Sequence, residues 1–557
     1  MVLALATVPA SARGQAVCAG QVIREIRVLP SALFAIEREP FSGFLQAVGN
    51  GLNWQTRSAT VRRELRFAEG EPCDPERLAE SARILRAQPY LRSAEIVTTP
   101  APGGAVDIEV QTRDDWALSG SFRIDTDSGR AIKAARLTED NLFGLGMLAQ
   151  LHYDYFGRRA GLVLDMLHRQ VLGHNDAELV IGRSSMGPVG ELSLRRVFES
   201  EFDRYGWRAS ARYRKEPFVL KSAAFNTVSL PVVSAGLDLG VARRSGPRGR
   251  QTMVGAALSL ERLTLDGTAF ASRPADDSAA NAEVAGRYTE RHRVAVNVFW
   301  GYRNLRFVPH AGLDAVNASQ DVREGFELRF IGGRAVSGSG GLVKDWFVLM
   351  DGYAGTPLGG RTMAFVRGRG EGRYLIETHR WEGLLVAADA YSYTAVSPRG
   401  SVAIGVQAEG GWSMSTPFQL QLASTTAMRG FGIAGLPTGR QVVVQTEHRY
   451  LLGTLFGAVD VGSALFLDVG RGWAGDALFA ADTGTLIAVG AGVRAGFPSG
   501  SRFTTRLDFA VPLQGGRGME VRLTLRRQYG VSSDEPDDVK RSRTPVSTVD
   551  LFQFTRY

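Results

Sequence analysis

The chain has 557 residues, of which 44% are hydrophobic and 65 are glycine, and its formal net charge is +8. It contains no run of about 18 uncharged apolar residues, which excludes a membrane protein built from helices. The arginines are spread along the chain and alternate with aliphatic residues, which argues against a nucleic-acid-binding protein. The glycine content and the scarcity of helical periodicity favour a mainly β protein, and a membrane β-barrel is compatible with this hydropathy because half of its strand residues face a polar lumen.

The first residues predict export. An apolar run that ends in Ala10-Ser11-Ala12 is typical of a signal peptide and its cleavage site, and we assign residues 1–16 to such a signal. The positively charged start of a signal is missing, so either the sequence begins too late or the pattern is coincidental; we favour the former. Cys18 and Cys73, the only cysteines, would form either one disulfide in an oxidising compartment or two unpaired thiols.

Residues 20–116 predict a small α+β domain. An alternating strand lies at residues 22–28, and a helix is expected at about residues 59–68. Asp74 and Pro75 supply a cap and a first-turn proline for a second helix that runs to about Gln88. Two further alternating segments, at residues 94–97 and 106–110, complete the order strand, helix, helix, strand, strand.

From about residue 117 to residue 530 the hydrophobic period is two. Residues 207–214 and 519–526 alternate between apolar and polar side chains, and up to about twenty candidate strands follow one another. A soluble sandwich would show the same alternation, but roughly 410 residues of it without covering helices favour one closed transmembrane barrel. Residues 246–249, 272–281 and 337–341 are predicted to be loops or turns. The charged tail at residues 531–557 predicts little order.

Neighbouring strands near the end of the barrel place charges on one face. Strand periodicity puts Glu447 and Arg449 on the same face as Gln445, whereas Val444, Thr446 and His448 take the other face; the corresponding polar faces of the next strands carry Phe466, Asp468 and Gly470, and then Arg506 and Asp508. In a membrane barrel the polar face is the lumen. Unpaired charge there would cost several kcal/mol, so these groups should pair with one another or with a segment that enters the lumen.

Arg429 is the candidate for that entering segment. It lies in a glycine-rich stretch that begins Met428-Arg429-Gly430-Phe431 and is too flexible to be a strand. A loop folded back into the barrel would place its guanidinium against Asp468 or Glu447 in a charge-assisted, bidentate contact. An extracellular loop with a solvated arginine is the alternative.

These residues resemble motifs of the outer-membrane assembly superfamily that includes BamA, TamA and the two-partner secretion transporters. The stretch 428–431 resembles its VRGF/Y loop motif, 466–470 its F-x-D-x-G strand motif, and 141–146 its N-L-F-G-x-G turn, while residues 506–513 resemble its penultimate strand. Residues 20–116 resemble one POTRA module with an insertion at about 41–55, and the likeness covers residues 20–530. The departures are Met428 in place of valine or leucine, a single POTRA module, and the extra tail.

The resemblance implies a barrel of about sixteen strands in the cell outer membrane, with the POTRA-like domain in the periplasm and an inward loop anchored through Arg429 to Asp468 with support from Glu447. It also implies a weak seam between the first strand, near 118–125, and the last, near 519–529. Unfolded or secreted client proteins would pair with the seam and the POTRA edge, with periplasmic accessory proteins as further possible partners and membrane lipid around the barrel. The expected function is insertion or translocation of clients; a two-partner secretion transporter or a passive pore is the alternative.

No catalytic, metal or cofactor site is predicted. The match of residues 430–435 to G-x-G-x-x-G neither follows a strand nor opens a helix, as a dinucleotide site requires. There is no G-x-S-x-G nucleophile elbow and no H-E-x-x-H motif, and the seven histidines are scattered. We therefore expect a protein that is not an enzyme.

Overall fold

The computed structural model describes residues 18–33, 50–124, 132–156, 159–311, 313–336, 344–423, 428–432, 435–514, 518–526 and 535–543. The expected signal at residues 1–16 and the expected turn at residues 337–341 lie outside the described residues. No helix among those described is long and apolar enough to cross a membrane.

In the described residues of the N-terminal unit, 18–33 and 50–114, the strands and the α-helices whose two ends are described follow the expected order. These are β1 (Ile23–Ser31), α1 (Ser58–Glu64), α2 (Pro75–Ala87), β2 (Leu91–Pro100) and β3 (Val106–Asp114). The central strand β3 pairs in parallel with β1 and antiparallel with β2, so β2 forms one edge of the sheet. Helix α2 begins where the sequence predicts, because the carboxylate of Asp74 accepts a hydrogen bond from the backbone N–H of Glu76 at 2.8 Å.

The core of the N-terminal unit lies between its helices and its sheet. Leu78 and Leu85 of α2 pack with Ile26 of β1 and Ile108 of β3, and all four side chains are buried. Cys18 and Cys73 form a disulfide, which settles the alternative that the sequence left open. The bridge ties the start of the described chain to the segment immediately before α2.

The strands that follow form a closed barrel. In chain order they are β4 (Leu118–Ile124), β5 (Ile132–Leu142), β6 (Met147–Phe156), β7 (Arg159–Leu172), β8 (Asn175–Arg183), β9 (Pro188–Arg196), β10 (Tyr205–Ser222), β11 (Asn226–Ser245), β12 (Arg250–Leu265), β13 (Phe270–Ala271), β14 (Arg291–Ala311), β15 (Ser319–Ala335), β16 (Asp345–Pro357), β17 (Thr362–Leu375), β18 (Arg380–Ala395), β19 (Gly400–Trp412), β22 (Arg440–Leu455), β23 (Val459–Trp473), β24 (Gly484–Gly496), β25 (Thr504–Pro512) and β26 (Glu520–Arg526). Two short strands, β20 (Leu420–Gln421) and β21 (Pro437–Thr438), form a separate hairpin.

The barrel has twenty long strands and the two-residue β13 among the described residues, whereas the family resemblance implies about sixteen. The figure of about sixteen comes from the resemblance alone. The alternation of apolar and polar residues predicts up to about twenty candidate strands, and the chain reverses tightly between neighbouring strands, for example between β7 and β8, where Leu172 pairs with Asn175.

Apolar side chains face outward and charged ones face the lumen. On β11, Leu237, Leu239 and Val241 are 50%, 58% and 63% exposed, while Asp238 between them is 1% exposed. This arrangement is the reverse of a soluble β protein, whose core is apolar. It is the distribution that a barrel with a lipid-facing exterior and a polar interior requires.

The two ends of the barrel differ. At the near end, where the N-terminal unit lies, strands are joined by connections such as the turn between β5 and β6. At the far end two connections, at residues 266–290 and 413–439, are much longer. One of them includes α3 (Asp277–Val284), so the loop predicted at residues 272–281 is partly helical. The other long connection, residues 413–439, is named the lumenal loop, and the tail contains α4 (Asp537–Ser542), which corrects the prediction of little order for that part.

Candidate functional site

The lumenal loop connects β19 to β22 and folds back into the barrel. The β20–β21 hairpin lies at the base of the loop. Next to it, the side-chain amide of Gln419 forms two hydrogen bonds with the backbone of Lys221 on β10: it donates to the carbonyl oxygen at 2.9 Å and accepts from the N–H at 2.7 Å. Met428, Leu420 and Leu422 have no exposed surface. Arg429 is 5% exposed, so the alternative of an extracellular loop with a solvated arginine does not fit this position.

Arg429 is anchored mainly by Asp468 on β23. Its Nε and Nη2 atoms donate to the two oxygens of Asp468 at 2.8 and 2.7 Å, and its backbone N–H donates to the same carboxylate at 3.0 Å. Its Nη1 atom donates to Glu447 at 3.0 Å and lies 3.6 Å from Asp508. The predicted contact thus forms, and it fixes the loop backbone as well as the side chain.

Glu447 is the shared acceptor of the surrounding arginines. One of its oxygens accepts from Arg449 at 2.8 Å, and the other accepts from Arg494 at 3.1 Å and from Arg506 at 2.6 Å. Arg494 also donates to Asp508 at 2.6 Å. We name this set the ion-pair cluster: Arg429, Glu447, Arg449, Asp468, Arg494, Arg506 and Asp508.

The charges of the ion-pair cluster nearly balance, since it holds four arginines and three carboxylates. Asp468 has no exposed surface and Glu447 is 4% exposed. Removing one member of such a buried set leaves the others uncompensated, which typically costs about 3–5 kcal/mol. The complete cluster therefore holds the lumenal loop in one position. Loss of any one of its members should release the loop.

Phe466 and Gly470 shape the surface on which the loop rests. The guanidinium carbon of Arg429 lies 3.5 Å from the centroid of the Phe466 ring, a close cation–π contact. Gly470 leaves room for Met428, because a Cβ atom at this position would lie 2.7 Å from the methionine sulfur. The glycine of the strand motif and the residue before the arginine are thus complementary in shape.

The sequence did not identify three residues of this site. Arg494 belongs to the ion-pair cluster, and Glu520 of β26 accepts hydrogen bonds from the N–H groups of Gly430 and Gly432 at 2.6 and 3.2 Å. Arg522 of β26 donates to the carbonyl oxygen of Met428 at 3.2 Å. Strand parity could have found Glu520 and Arg522, because residues 519–526 alternate and these two share the polar face. For Arg494 the strand GTLIAVGAGVRAG, at residues 484–496, has no polar alternation that marks a lumenal face. These bonds connect the lumenal loop to the last strand of the barrel.

The turn between β5 and β6 holds the N-terminal unit at the near end. The side-chain amide of Asn141 donates to the carbonyl oxygen of Trp54 at 2.9 Å and to the hydroxyl of Thr56 at 3.0 Å. The carbonyl oxygen of Gly144 accepts from the Thr60 hydroxyl at 2.8 Å. A Cβ atom at Gly144, whose φ is +73°, would lie 2.2 Å from the carbonyl oxygen of Gln55. The turn motif at residues 141–146 is thus shaped to contact α1 and the segment before it.

A second contact joins α2 to the turn between β9 and β10. Glu80 forms two hydrogen bonds with Arg83, each 2.8 Å, and accepts the N–H of Glu201 at 2.7 Å; Glu201 in turn accepts from Arg303 of β14 at 2.6 Å. Burial alone would raise the pKa of Glu80, but the bonds and the charge of Arg83 outweigh it and lower this pKa to about 2. Arg86 adds a bond of 2.9 Å to Asp321 of β15.

No protein-family model and no curated protein matches this chain. Solved structures are similar to it, and the following are three of them. BamA from Haemophilus ducreyi lacking POTRA domains 1-3 is 13% identical, with a TM-score of 0.33, over 90% of this chain and 83% of that one. CdiB from Escherichia coli is 14% identical, with a TM-score of 0.39, over 91% and 75%. CdiB from Acinetobacter baumannii is 12% identical, with a TM-score of 0.37, over 90% and 72%. At these values the function has to be argued from the residues themselves.

Proposed function

We propose that this chain is an outer-membrane barrel of the BamA and TamA type, which inserts or translocates client polypeptides. The observation that carries the proposal is the contact of the Arg429-Gly430-Phe431 loop with Asp468 and Glu447, two lumenal strand residues. The apolar exterior of the barrel supports a position in the outer membrane.

The junction of β26 and β4 is the proposed place of client entry. These two strands complete the ring, and β26 is joined to its other neighbour, β25, by a regular antiparallel ladder. Separation of β26 from β4 would expose N–H and C=O groups of both strands, to which a client strand could add by β-augmentation.

The N-terminal unit is the proposed periplasmic POTRA module. Its edge strand β2 offers a second place where an extended client segment could pair before it reaches the barrel. The near end, where this unit is bonded, would then face the periplasm. This activity consists of strand exchange and requires no covalent chemistry, cofactor or metal.

A test uses liposomes that contain the purified protein and an unfolded β-barrel client. We expect the protein to accelerate client insertion, and we expect a disulfide across the junction to stop the acceleration until it is reduced. Gly120→Cys on β4 is combined in turn with Val521→Cys, Leu523→Cys and Leu525→Cys, which are outward-facing positions on β26. The matched control is Met350→Cys with Gly370→Cys, a pair of register partners on β16 and β17.

The wild-type protein treated with the same reductant controls for the native disulfide Cys18–Cys73. No acceleration by the wild-type protein, or the same acceleration with the β26–β4 junction cross-linked, would contradict insertion at this junction. Transport of a secreted client that continues through the cross-linked barrel would favour a secretion transporter. A passive pore is less well supported, because the lumenal loop and its ion pairs occupy the lumen.

A further inference from the structure

The last described part of the chain, residues 535–543, lies inside the barrel; we name it the tail segment. It contains α4, and Arg543 at its end contacts the lumenal face of β17. β26, the last barrel strand, ends at Arg526, which pairs with Thr504 at the near end. The tail segment is therefore additional to the barrel wall and to the lumenal loop.

An ion pair fixes the end of the tail segment to the wall. Arg543 donates to Glu371 at 3.0 Å and also pairs with Glu535 of the same segment. Arg543 is 8% exposed and Glu371 is 6% exposed. A buried ion pair of this kind is specific in position, because either partner alone would be an uncompensated charge away from water.

Apolar packing fixes the middle of the tail segment. Val539 has no exposed surface and packs in one cluster with Leu385 and Ala387 of β18 and with Phe418 and Leu420 of the lumenal loop. Complete burial of a valine side chain removes its apolar surface from water and so stabilises the contact. The tail segment thus rests on the wall and on the loop together.

Two further contacts show how far the tail segment extends. The carboxylate of Asp538 accepts the backbone N–H of Gln421, in the lumenal loop, at 2.8 Å. The guanidinium carbon of Arg541 lies 5.7 Å from the ring centroid of Phe218 on β10. Because several strands separate β10 from β17 around the ring, a segment that touches both crosses the lumen.

We propose that the barrel lumen contains a peptide-binding site, formed by Glu371, Leu385, Phe418 and Gln421, and that the tail segment fills this site as an internal plug. In this position the segment closes the far half of the lumen and holds the base of the lumenal loop. Transport through the lumen then requires the segment to leave, which makes the C-terminus a regulator of the barrel. The inference depends on the closed barrel and its contacts, and it holds for an insertase or a secretion transporter.

Conductance across a planar lipid bilayer tests the plug. A stop codon after Gly530 removes the tail but keeps β26 complete, and Arg543→Glu and Val539→Asp disrupt the two main contacts in the full-length chain. We expect each variant to raise the conductance several-fold over the wild-type protein. Asp537→Asn, an exposed position in the same helix, is the matched control and should conduct like the wild-type protein.

Electrophoretic mobility before and after heating reports whether each barrel is folded, and only folded samples are compared. If the truncated barrel does not fold, the two point variants carry the test. Wild-type conductance in the folded variants overturns the proposal. A rise in Asp537→Asn equal to that in Arg543→Glu also overturns it, because the effect would then not depend on the buried contacts.

A cross-link tests the position of the segment separately. Leu385→Cys with Val539→Cys should form a disulfide under oxidising conditions and should keep the conductance low under voltages that open the wild-type channel. Reduction should restore the response to voltage, with the reduced wild-type protein as the control for Cys18–Cys73. Failure of the two cysteines to react in the folded barrel would overturn the lumenal position of the tail segment.

Discussion

The guanidinium of Arg429 donates two hydrogen bonds to the carboxylate of Asp468, and the backbone N–H of the same arginine donates a third. A carboxylate on a rigid strand thus holds both the side chain and the main chain of a loop. Since β26 also bonds this loop through Glu520 and Arg522, the loop connects the middle of the barrel wall to the edge of the proposed seam.

Arg429→Ala should release the lumenal loop. Loss of a partner from this buried cluster should cost about 3–5 kcal/mol, which corresponds to a more than roughly 100-fold increase in local opening. Arg429→Lys should give an intermediate effect, because lysine keeps the charge but not the two parallel donors. Hydrogen-exchange mass spectrometry of peptides that cover residues 428–432 measures the opening.

Arg471→Ala is the matched control, because Arg471 is exposed and lies on β23, the strand that carries Asp468, the main partner of Arg429. It should leave the exchange of the loop unchanged. Wild-type protection of the loop in Arg429→Ala would show that the remaining contacts suffice without the arginine.

Gly470→Ala should destabilise the barrel through Met428. The new methyl group would lie 2.7 Å from the methionine sulfur, and overpacking of this kind typically costs about 1–3 kcal/mol. In the background of Met428→Ala the same change should cost less, because the overlapping atom is absent. The midpoint of thermal unfolding in detergent, measured for both single variants and the double variant, gives the coupling.

Gly368→Ala controls for the introduction of an alanine into a strand, since a Cβ atom there would have no neighbour within 4 Å. It should change the unfolding midpoint less than Gly470→Ala does. Strict additivity of Gly470→Ala and Met428→Ala would contradict the proposed packing of the loop on the strand.

Gly144→Ala should loosen the N-terminal unit from the barrel. The methyl group would overlap the carbonyl oxygen of Gln55, and the φ of +73° adds backbone strain. Gly173→Ala separates the two effects, because Gly173 has a φ of +65° and free space around it. Hydrogen exchange in α1 should increase clearly in Gly144→Ala and stay near the wild-type rate in Gly173→Ala. Equal exchange rates in the two variants would show that backbone strain, and not the overlap with Gln55, causes the increase.

Much of the ion-pair cluster could be predicted from the sequence, because the face of a strand on which a side chain lies depends only on neighbouring positions in the sequence. A period of two fixes which side chains share a face, and this places Glu447 with Arg449 and Arg506 with Asp508 without any knowledge of the fold. The contact of Arg429 with Asp468 needed the additional expectation that a glycine-rich loop folds inward.

The alternation predicts up to about twenty candidate strands, and the described residues form twenty long ones, whereas the figure of about sixteen comes from the family resemblance. The contacts of the tail could not be predicted in this way, because they join residues that are distant in the sequence. The tail has the composition of a poorly ordered segment, but Val539 and Arg543 find partners more than a hundred residues away in the lumen. The composition of a segment indicates how much conformational entropy is lost when it becomes ordered. It does not indicate which site in the folded protein offsets that loss.

The contact of α2 with the barrel should weaken in acid through Glu80. Its pKa in the folded protein is about 2, below the ordinary value of 4.5, so its stabilising effect is complete above pH 4.5 and is lost as the pH falls through 4.5 toward 2. A pKa shift of this size corresponds to ~3 kcal/mol of folding free energy. Protection of the Glu201 amide, which donates to Glu80, should therefore decrease between pH 5 and pH 3 after correction for the intrinsic rate of exchange.

The stabilising effect of Asp114, in the same N-terminal unit, has the opposite pH dependence. Burial raises its pKa to about 6, although Thr56 donates two hydrogen bonds to it, so its contribution is complete below the ordinary value of 3.8 and is lost as the pH rises through 6. Glu80→Gln should flatten the pH dependence of the stability of this unit below pH 4.5. Asp114→Asn should flatten the same pH dependence between about pH 4 and 6. As the pH falls, protonation of Glu80 destabilises the folded unit, whereas protonation of Asp114 stabilises it. A single general effect of acid on the barrel would change both variants alike and would contradict this assignment.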